Sequence, residues 1–146
     1  MKLLASLIPL LDVVPTLIRV CILWILVVAV FYYFKGNKSR SLALSALILL
    51  FNVQFETLER FLPSLIAYGA LGVFGAGTEA LFLHLFGGIW VYGNPKILKV
   101  PLWLFPLWSL CAMAIVNVYP VIVKVIMHGQ DIAQNILDMV IDHKKN

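Results

Sequence analysis

The chain has 146 residues, of which 62% are hydrophobic and 12% are charged, and its mean hydropathy is +0.99. These values exclude a soluble globular protein and predict one integral membrane domain over residues 1–146. The net charge of +4 comes from basic residues scattered at the ends of apolar segments, so it indicates membrane topology and argues against nucleic-acid binding.

Four apolar segments are long enough to cross a bilayer, for which a helix needs about 20 residues. They predict an all-α polytopic bundle with four transmembrane helices, over residues 16–34, 41–60, 63–86 and 101–127. Residues 1–14 are predicted to form a short interfacial segment before the first span. A signal sequence is the alternative, which the missing small-residue cleavage site disfavours.

The far end of the second span is polar. Helical spacings of three, four and seven residues place one polar stripe along it, formed by Ser45, Asn52, Glu56 and Glu59. This stripe should face protein or water. Glu56 and Arg60 are four residues apart and are predicted to form an interfacial ion pair, with a binding role as the alternative.

The third span is rich in small residues, which let two helix backbones approach closely within a membrane. The residues predicted to pack in this way are Gly69, Gly72, Gly75, Ala76 and Ala80. A close contact with a neighbouring helix is therefore expected along this span.

Glu79 lies inside the same apolar span. A carboxylate there costs roughly 2.5 to 3.5 kcal/mol on insertion scales, so it needs a proton, a partner or a polar cavity. Glu79 shares a helical stripe with Tyr68, Gly72 and Gly75, and is expected to point into the bundle or toward a partner. His84 lies about 140° further round the helix, which disfavours a His–Glu metal pair. No metal site or cofactor is predicted.

The fourth span carries Trp103 and Trp108 near its start, where aromatic residues are typical of the membrane interface. Asn117 lies on the same seven-residue stripe as Trp103 and is expected to face inward. Two roles are open for Asn117: it is a partner of Glu79, or it bonds a neighbouring helix for packing alone.

Gly129 is predicted to end the fourth span. Pro106 and Pro120 are expected to lie deeper, where each removes a backbone donor and can kink the helix. Residues 130–143 combine an apolar face with charged residues, so they are predicted to form an amphipathic helix on the membrane surface or against a partner.

Basic residues are concentrated in the loops at residues 35–40 and 87–100, which predicts that both loops are cytoplasmic. The expected partners are membrane lipids, an isoprenoid or other lipophilic ligand, and membrane proteins or a second copy of the chain. Nucleic acid is not an expected partner.

A resemblance to a known family covers residues 79–108. The acid Glu79, the run from Gly88 to Tyr92 and the segment from Pro101 to Trp108 resemble the acid, Gly-x-x-x-Tyr and Pro-x6-Trp pattern of bacterial carotenoid hydratases. The segment also resembles small polytopic membrane proteins of unassigned function. The hydratase resemblance implies an apolar isoprenoid substrate and proton chemistry at Glu79, although the hydratases are longer and have more spans.

Two functions follow from these residues. The first is an intramembrane pocket for a lipid or isoprenoid, with Glu79 as the catalytic acid that protonates an alkene if the protein is an enzyme. The residues predicted to line this pocket are Tyr68, Trp90, Tyr92, Trp103, Trp108 and Asn117. The alternative is an accessory or assembly subunit of a larger membrane complex. A transporter or channel subunit ranks last, because few polar residues share one face.

Overall fold

The computed structural model describes residues 13–86, 92 and 97–145. Within these residues the chain forms four helices: α1 (Val14–Tyr33), α2 (Asn37–Phe55), α3 (Leu58–Phe86) and α4 (Leu104–Lys145). This confirms the all-α prediction for the described part of the chain. The predicted interfacial segment at residues 1–14 lies almost entirely outside it.

Three of these helices are long and apolar enough to cross a membrane. The three stretches, with their mean hydropathies, are Val14–Tyr33 (2.5), Leu58–Phe86 (1.4) and Leu104–Gln134 (2.1). The helix expected as the second span, α2, is not among them. It has 19 residues and carries Lys38 and Arg40 in its first turn and Asn52 and Gln54 near its end. The four-span bundle therefore stays a prediction.

The break between α2 and α3 lies at residues 56–57, whereas the sequence pattern placed it between 60 and 63. Glu56 adopts an extended conformation (φ −112°, ψ 150°) and ends α2, while its amide donates to the carbonyl of Asn52. Arg60 and Pro63 consequently belong to α3. Glu56 and Arg60 do not share a helix, so the predicted i, i+4 pair has no continuous helix to support it.

The fourth helix also differs from its prediction, because α4 continues through Gly129 to Lys145. A helical glycine costs about 1 kcal/mol relative to alanine but does not by itself end a helix. The amphipathic tail expected at 130–143 is therefore an extension of α4. Pro106 lies in the first turn of α4, where its missing N–H costs no helical hydrogen bond, and Pro120 lies inside the helix.

The turn between α1 and α2 is held by hydrogen bonds from both sides. The amide of Gly36 donates to Ser39 Oγ at 3.2 Å, and Ser39 Oγ donates back to the Gly36 carbonyl at 2.9 Å. The guanidinium of Arg40 donates to the carbonyls of Phe31, at 3.3 Å, and Phe34 at the end of α1. It also lies 5.3 Å from the centroid of the Phe31 ring. Arg40 thus caps α1 as well as contributing to the basic loop.

The polar end of α2 faces α3. Asn52 is fully buried, and its Nδ2 donates to the Phe61 carbonyl at 2.9 Å, while its Oδ1 meets no donor among the described residues. Tyr68 is also buried, and its hydroxyl donates to Glu56 Oε1 at 3.0 Å. These two hydrogen bonds join the first part of α3 to the end of α2. Glu59, expected on the same stripe, is exposed.

Residues Cys21–Ile115 form one compact unit, and the described residues outside that range form another. Within the first unit, α3 contributes Ala76, Ala80 and Leu83 to a buried cluster. Val100 and Leu104, from the turn before α4 and from its first residue, complete that cluster. This packing brings the C-terminal half of α3 against the beginning of α4, where the candidate site lies.

Candidate functional site

Glu79 is half-buried, and each of its carboxyl oxygens has a hydrogen-bond donor. The Tyr92 hydroxyl donates to Oε1, and the indole Nε1 of Trp108 donates to Oε2 at 3.0 Å. The acid, the phenol and the indole come from α3, the segment before α4, and α4 itself. Glu79 therefore ties together three parts of the chain that are far apart in sequence.

The two partners of Glu79 constrain its proton differently. An indole N–H can only donate, so Oε2 is an acceptor in this arrangement. A phenol can donate or accept. A proton on Oε1 would reverse the Tyr92 bond, so that Oε1 donates to the phenol oxygen while Oε2 still accepts from Trp108. The site can thus hold Glu79 with or without its proton while keeping both contacts.

Two glycines of α3 make room for α4. A Cβ built on Gly72 would meet Ser109 Oγ and would lie 2.7 Å from the Phe105 carbonyl oxygen. A Cβ on Gly75 would lie 2.6 Å from Cδ2 of Trp108. Real Cβ contacts are essentially never this short, so both positions need glycine. The space above Gly75 is what lets the indole reach the acid one turn further along α3.

The other small residues of α3 divide between two sides of the helix. Ala76 and Ala80 are buried, at 0% and 4% exposure, in the cluster with Val100. Gly69 is exposed, and a Cβ there would meet nothing within 4 Å. The close contact with α4 therefore begins at Gly72, and Gly69 takes no part in it.

Aromatic rings support Tyr92 from behind. The ring of Trp103 packs edge-to-face against Tyr92, with centroids 5.7 Å apart and an interplanar angle of 84°. The Trp103 ring also packs edge-to-face against Phe31 of α1, with centroids 4.9 Å apart and an interplanar angle of 89°. Such edge-to-face pairs contribute about 0.5 to 1.5 kcal/mol each beyond area burial. Trp103 therefore holds the phenol that donates to Glu79.

An open groove of about 610 Å³ lies between α3 and α4 beside this acid. Its described lining residues are Leu71, Phe74, Gly75, Thr78, Glu79, Phe82, Trp108, Ala112 and Ile115. Among them Glu79 is the ionisable residue. The Thr78 hydroxyl donates to the Phe74 carbonyl within α3 at 2.8 Å, which leaves the carboxyl and the indole as the main polar features of an apolar groove. Volumes of this order are typical of small-molecule sites.

The structure brings four of the predicted site residues together: Glu79, Tyr92, Trp103 and Trp108. Tyr68 lies elsewhere, at the contact with Glu56. Asn117 is half-buried and lies in the other unit of the chain, while both oxygens of Glu79 have partners from this one. Trp90 falls outside the described residues.

Sequence reasoning missed six of the described groove residues: Leu71, Phe74, Thr78, Phe82, Ala112 and Ile115. The aromatic ones among them are Phe74 and Phe82. They flank Thr78 at intervals of four residues, so a helical projection of α3 places all three on one face beside Glu79. Phe31, which supports Trp103, lies far away in the sequence, and no spacing within α4 could have indicated it.

The described residues contain no cluster of side chains that could bind a metal ion. No group of three His, Cys, Asp or Glu side chains there is placed to hold an ion. Cys21 and Cys111 are both free thiols, and only Cys111 is partly buried.

Comparisons with known proteins were made for the whole chain. No family model, curated protein or solved structure matches it. The likeness of residues 79–108 to carotenoid hydratases thus stays a prediction, and the function is argued from the site itself.

Tyr68→Phe is expected to leave any ligand in the groove untouched while lowering stability. Tyr68 precedes Glu79 by eleven residues, about 16 Å along α3. Phenylalanine keeps the buried ring and loses the hydroxyl bond to Glu56, a loss of about 1 to 2 kcal/mol. Thermal unfolding in mild detergent, with the bound lipophile measured in parallel, checks both parts. A loss of ligand without a loss of stability would contradict the structural role.

Proposed function

We propose that this protein is a multi-pass membrane protein that binds a lipophilic ligand in the groove beside Glu79. One observation carries the proposal: a carboxyl group with both oxygens hydrogen-bonded lies on the wall of an otherwise apolar groove of about 610 Å³. A carboxyl group in a membrane span is costly and in general marks a functional site. The three helices that are long and apolar enough to cross a membrane support a location in the bilayer.

The groove favours a ligand with a long apolar body and one reactive or polar point. Phe74, Phe82 and Ile115 offer aromatic and aliphatic surface, while Glu79 offers one place to bond or protonate. An isoprenoid or another unsaturated lipid has this form. In the same proposal α2 completes a four-span bundle, and the basic loops at 35–40 and 87–100 face the cytoplasm.

If the protein is an enzyme, proton transfer from Glu79 is the chemistry this site favours. The π electrons of a ligand alkene would form a C–H bond with the Glu79 proton, leaving a carbocation on the neighbouring carbon. Trp108 and Tyr92 would stabilise the carboxylate left behind, and nearby aromatic faces would stabilise the cation. Water would then add to the cation and return a proton to Glu79, so that the net reaction is hydration.

Glu79→Gln tests this function with little structural disturbance. The glutamine carbonyl can accept from Trp108 and its amide can donate to the Tyr92 oxygen, but it has no acidic proton. Native mass spectrometry of the gently purified chain should show a stoichiometric lipophile in both proteins. Turnover of isoprenoid alkenes should fall by about 10² to 10⁴ in the variant, the usual contribution of a general acid.

Thr78→Val is the matched control, because it alters the same groove wall without touching the acid. The Thr78 hydroxyl already bonds within α3, so its loss should change turnover little. If Glu79→Gln left both binding and turnover of every tested isoprenoid unchanged, the groove would not be the site proposed here.

The alternative is an accessory subunit that docks another membrane helix. The observation that favours it is the outer side of α3, where Gly69 and Gly77 both have open space and Val73 between them is exposed. Small residues at such spacings promote close helix packing in membranes. Gentle isolation would then yield stoichiometric protein partners and no small lipophile, and Gly77→Leu would release those partners.

A further inference from the structure

A tight turn before α4 holds Lys99 in an unusual conformation. Ile97 and Val100 exchange two backbone hydrogen bonds, of 3.2 and 2.8 Å, across this turn. The two residues between them have positive φ angles, 47° at Leu98 and 67° at Lys99. Side chains with a Cβ rarely adopt this conformation, which is usual for glycine or asparagine. Val100, which ends the turn, is fully buried in the cluster that contains Ala80, and this packing anchors the turn next to Lys99.

This turn forms one wall of a second cavity, of about 470 Å³, on the side of α3 away from Glu79. Its described lining residues are Gly77, Ala80, Leu81, His84, Leu98 and Lys99. The floor is apolar, and a Cβ on Gly77 would meet nothing within 4 Å. Two of the lining residues, His84 and Lys99, have nitrogen-bearing side chains, and both are exposed.

No carboxylate of the described residues lines the cavity beside Lys99. Residues 80–130 contain no Asp or Glu. Glu79 lies about 140° round α3 from His84 and is already bonded by Tyr92 and Trp108. The Lys99 ammonium gives the cavity a positive edge, and the two donors available there are that ammonium and an imidazole N–H of His84.

The depth of the cavity matches a lipid headgroup. With 29 residues, α3 is about 43 Å long, enough to cross the hydrocarbon and both headgroup layers. His84 lies two residues before the end of α3, so a helix of this length that crosses the bilayer would place it near the headgroups. We propose that the cavity binds the phosphate of an anionic membrane phospholipid: Lys99 pairs with the phosphate, His84 donates to it, and the acyl chain lies along Gly77 and Leu81. This proposal does not depend on the Glu79 groove.

Lys99→Asn tests the proposal without breaking the turn, because asparagine tolerates positive φ. The full chain would be transferred to mixed vesicles of phosphatidylglycerol and phosphatidylcholine, and its bound lipids counted by native mass spectrometry. We expect the phosphatidylglycerol preference to fall about fivefold, the typical contribution of one lysine at an anionic surface. Lys99→Arg should keep the preference. Lys35→Gln, an equal charge change at an exposed lysine of the first loop, should also keep it.

Three results would overturn the assignment. The first is an unchanged preference in Lys99→Asn, and the second is an equal loss in Lys35→Gln, which would indicate a general charge effect. The third is complete displacement of phosphatidylglycerol by millimolar inorganic phosphate, which would identify free phosphate as the ligand. His84→Ala gives an independent check, because it should weaken phosphatidylglycerol binding in the same direction while leaving the turn at Lys99 unaltered.

Discussion

Gly72→Ala is expected to destabilise the protein, although alanine is the better helix former. The new methyl group would meet Ser109 Oγ and lie 2.7 Å from the carbonyl oxygen of Phe105. Neither neighbour can yield easily, since the Ser109 hydroxyl donates to that same carbonyl and the carbonyl belongs to the backbone of α4. Overpacking of this kind typically costs about 1 to 3 kcal/mol, and thermal unfolding in mild detergent should show it.

Gly69→Ala is the matched control, three residues earlier on the same helix. Its methyl group would meet nothing within 4 Å, so only helix propensity acts, and stability should stay level or rise by up to about 1 kcal/mol. Adding Ser109→Ala to Gly72→Ala should recover part of the loss, since it removes one of the two clashing atoms. If both glycine variants behaved alike, α3 and α4 could not approach as closely as described.

The sequence pattern of α3 alone predicts much of the candidate site. A helical period placed Glu79 on the stripe of Gly72 and Gly75, and in the structure those glycines face α4, whose Trp108 reaches the acid. What the pattern could not supply was the partner. Trp108 lies 29 residues from Glu79, and only the packing of two helices selects it over the other aromatic residues. The spacing of residues along one helix shows which of them share a face, but it does not show which residue of another helix that face contacts.

Helix ends were the least predictable feature, because local signals compete with tertiary packing. Gly129 was a reasonable stop signal, yet α4 continues through it with open space around the glycine. The break after α2 is predicted several residues too late, since Glu56 has no turn-forming character of its own. Asn52 and Tyr68 cross-link the two helices next to that break, and these bonds could be found only in three dimensions.

Trp103→Ala is expected to lower the stability of the protein more than any other single change at the site. The half-buried indole touches Phe31 on one side and Tyr92 on the other, at 4.9 and 5.7 Å between centroids. Truncation removes both edge-to-face pairs and leaves a cavity, at a cost of about 3 kcal/mol, the lower end of the range for buried tryptophan. It should also free Tyr92 from Glu79 and so reduce the lipophile that copurifies with the chain.

Two further variants show whether the effect of Trp103→Ala comes from the specific contacts of its ring or from a general loss of aromatic surface. Trp24→Ala removes the same side chain from an exposed position on α1, where surface substitutions change stability by about 0.5 kcal/mol or less. Trp103→Phe keeps a ring that can still face Phe31 and Tyr92, so it should restore part of the stability and of the bound lipophile. Trp103 is not among the described lining residues of the groove, so a ligand lost from Trp103→Ala protein that is still folded points to the contact between Tyr92 and Glu79. A strongly destabilised Trp103→Ala protein that kept its full lipophile content would show that Tyr92 does not hold the acid in its binding position.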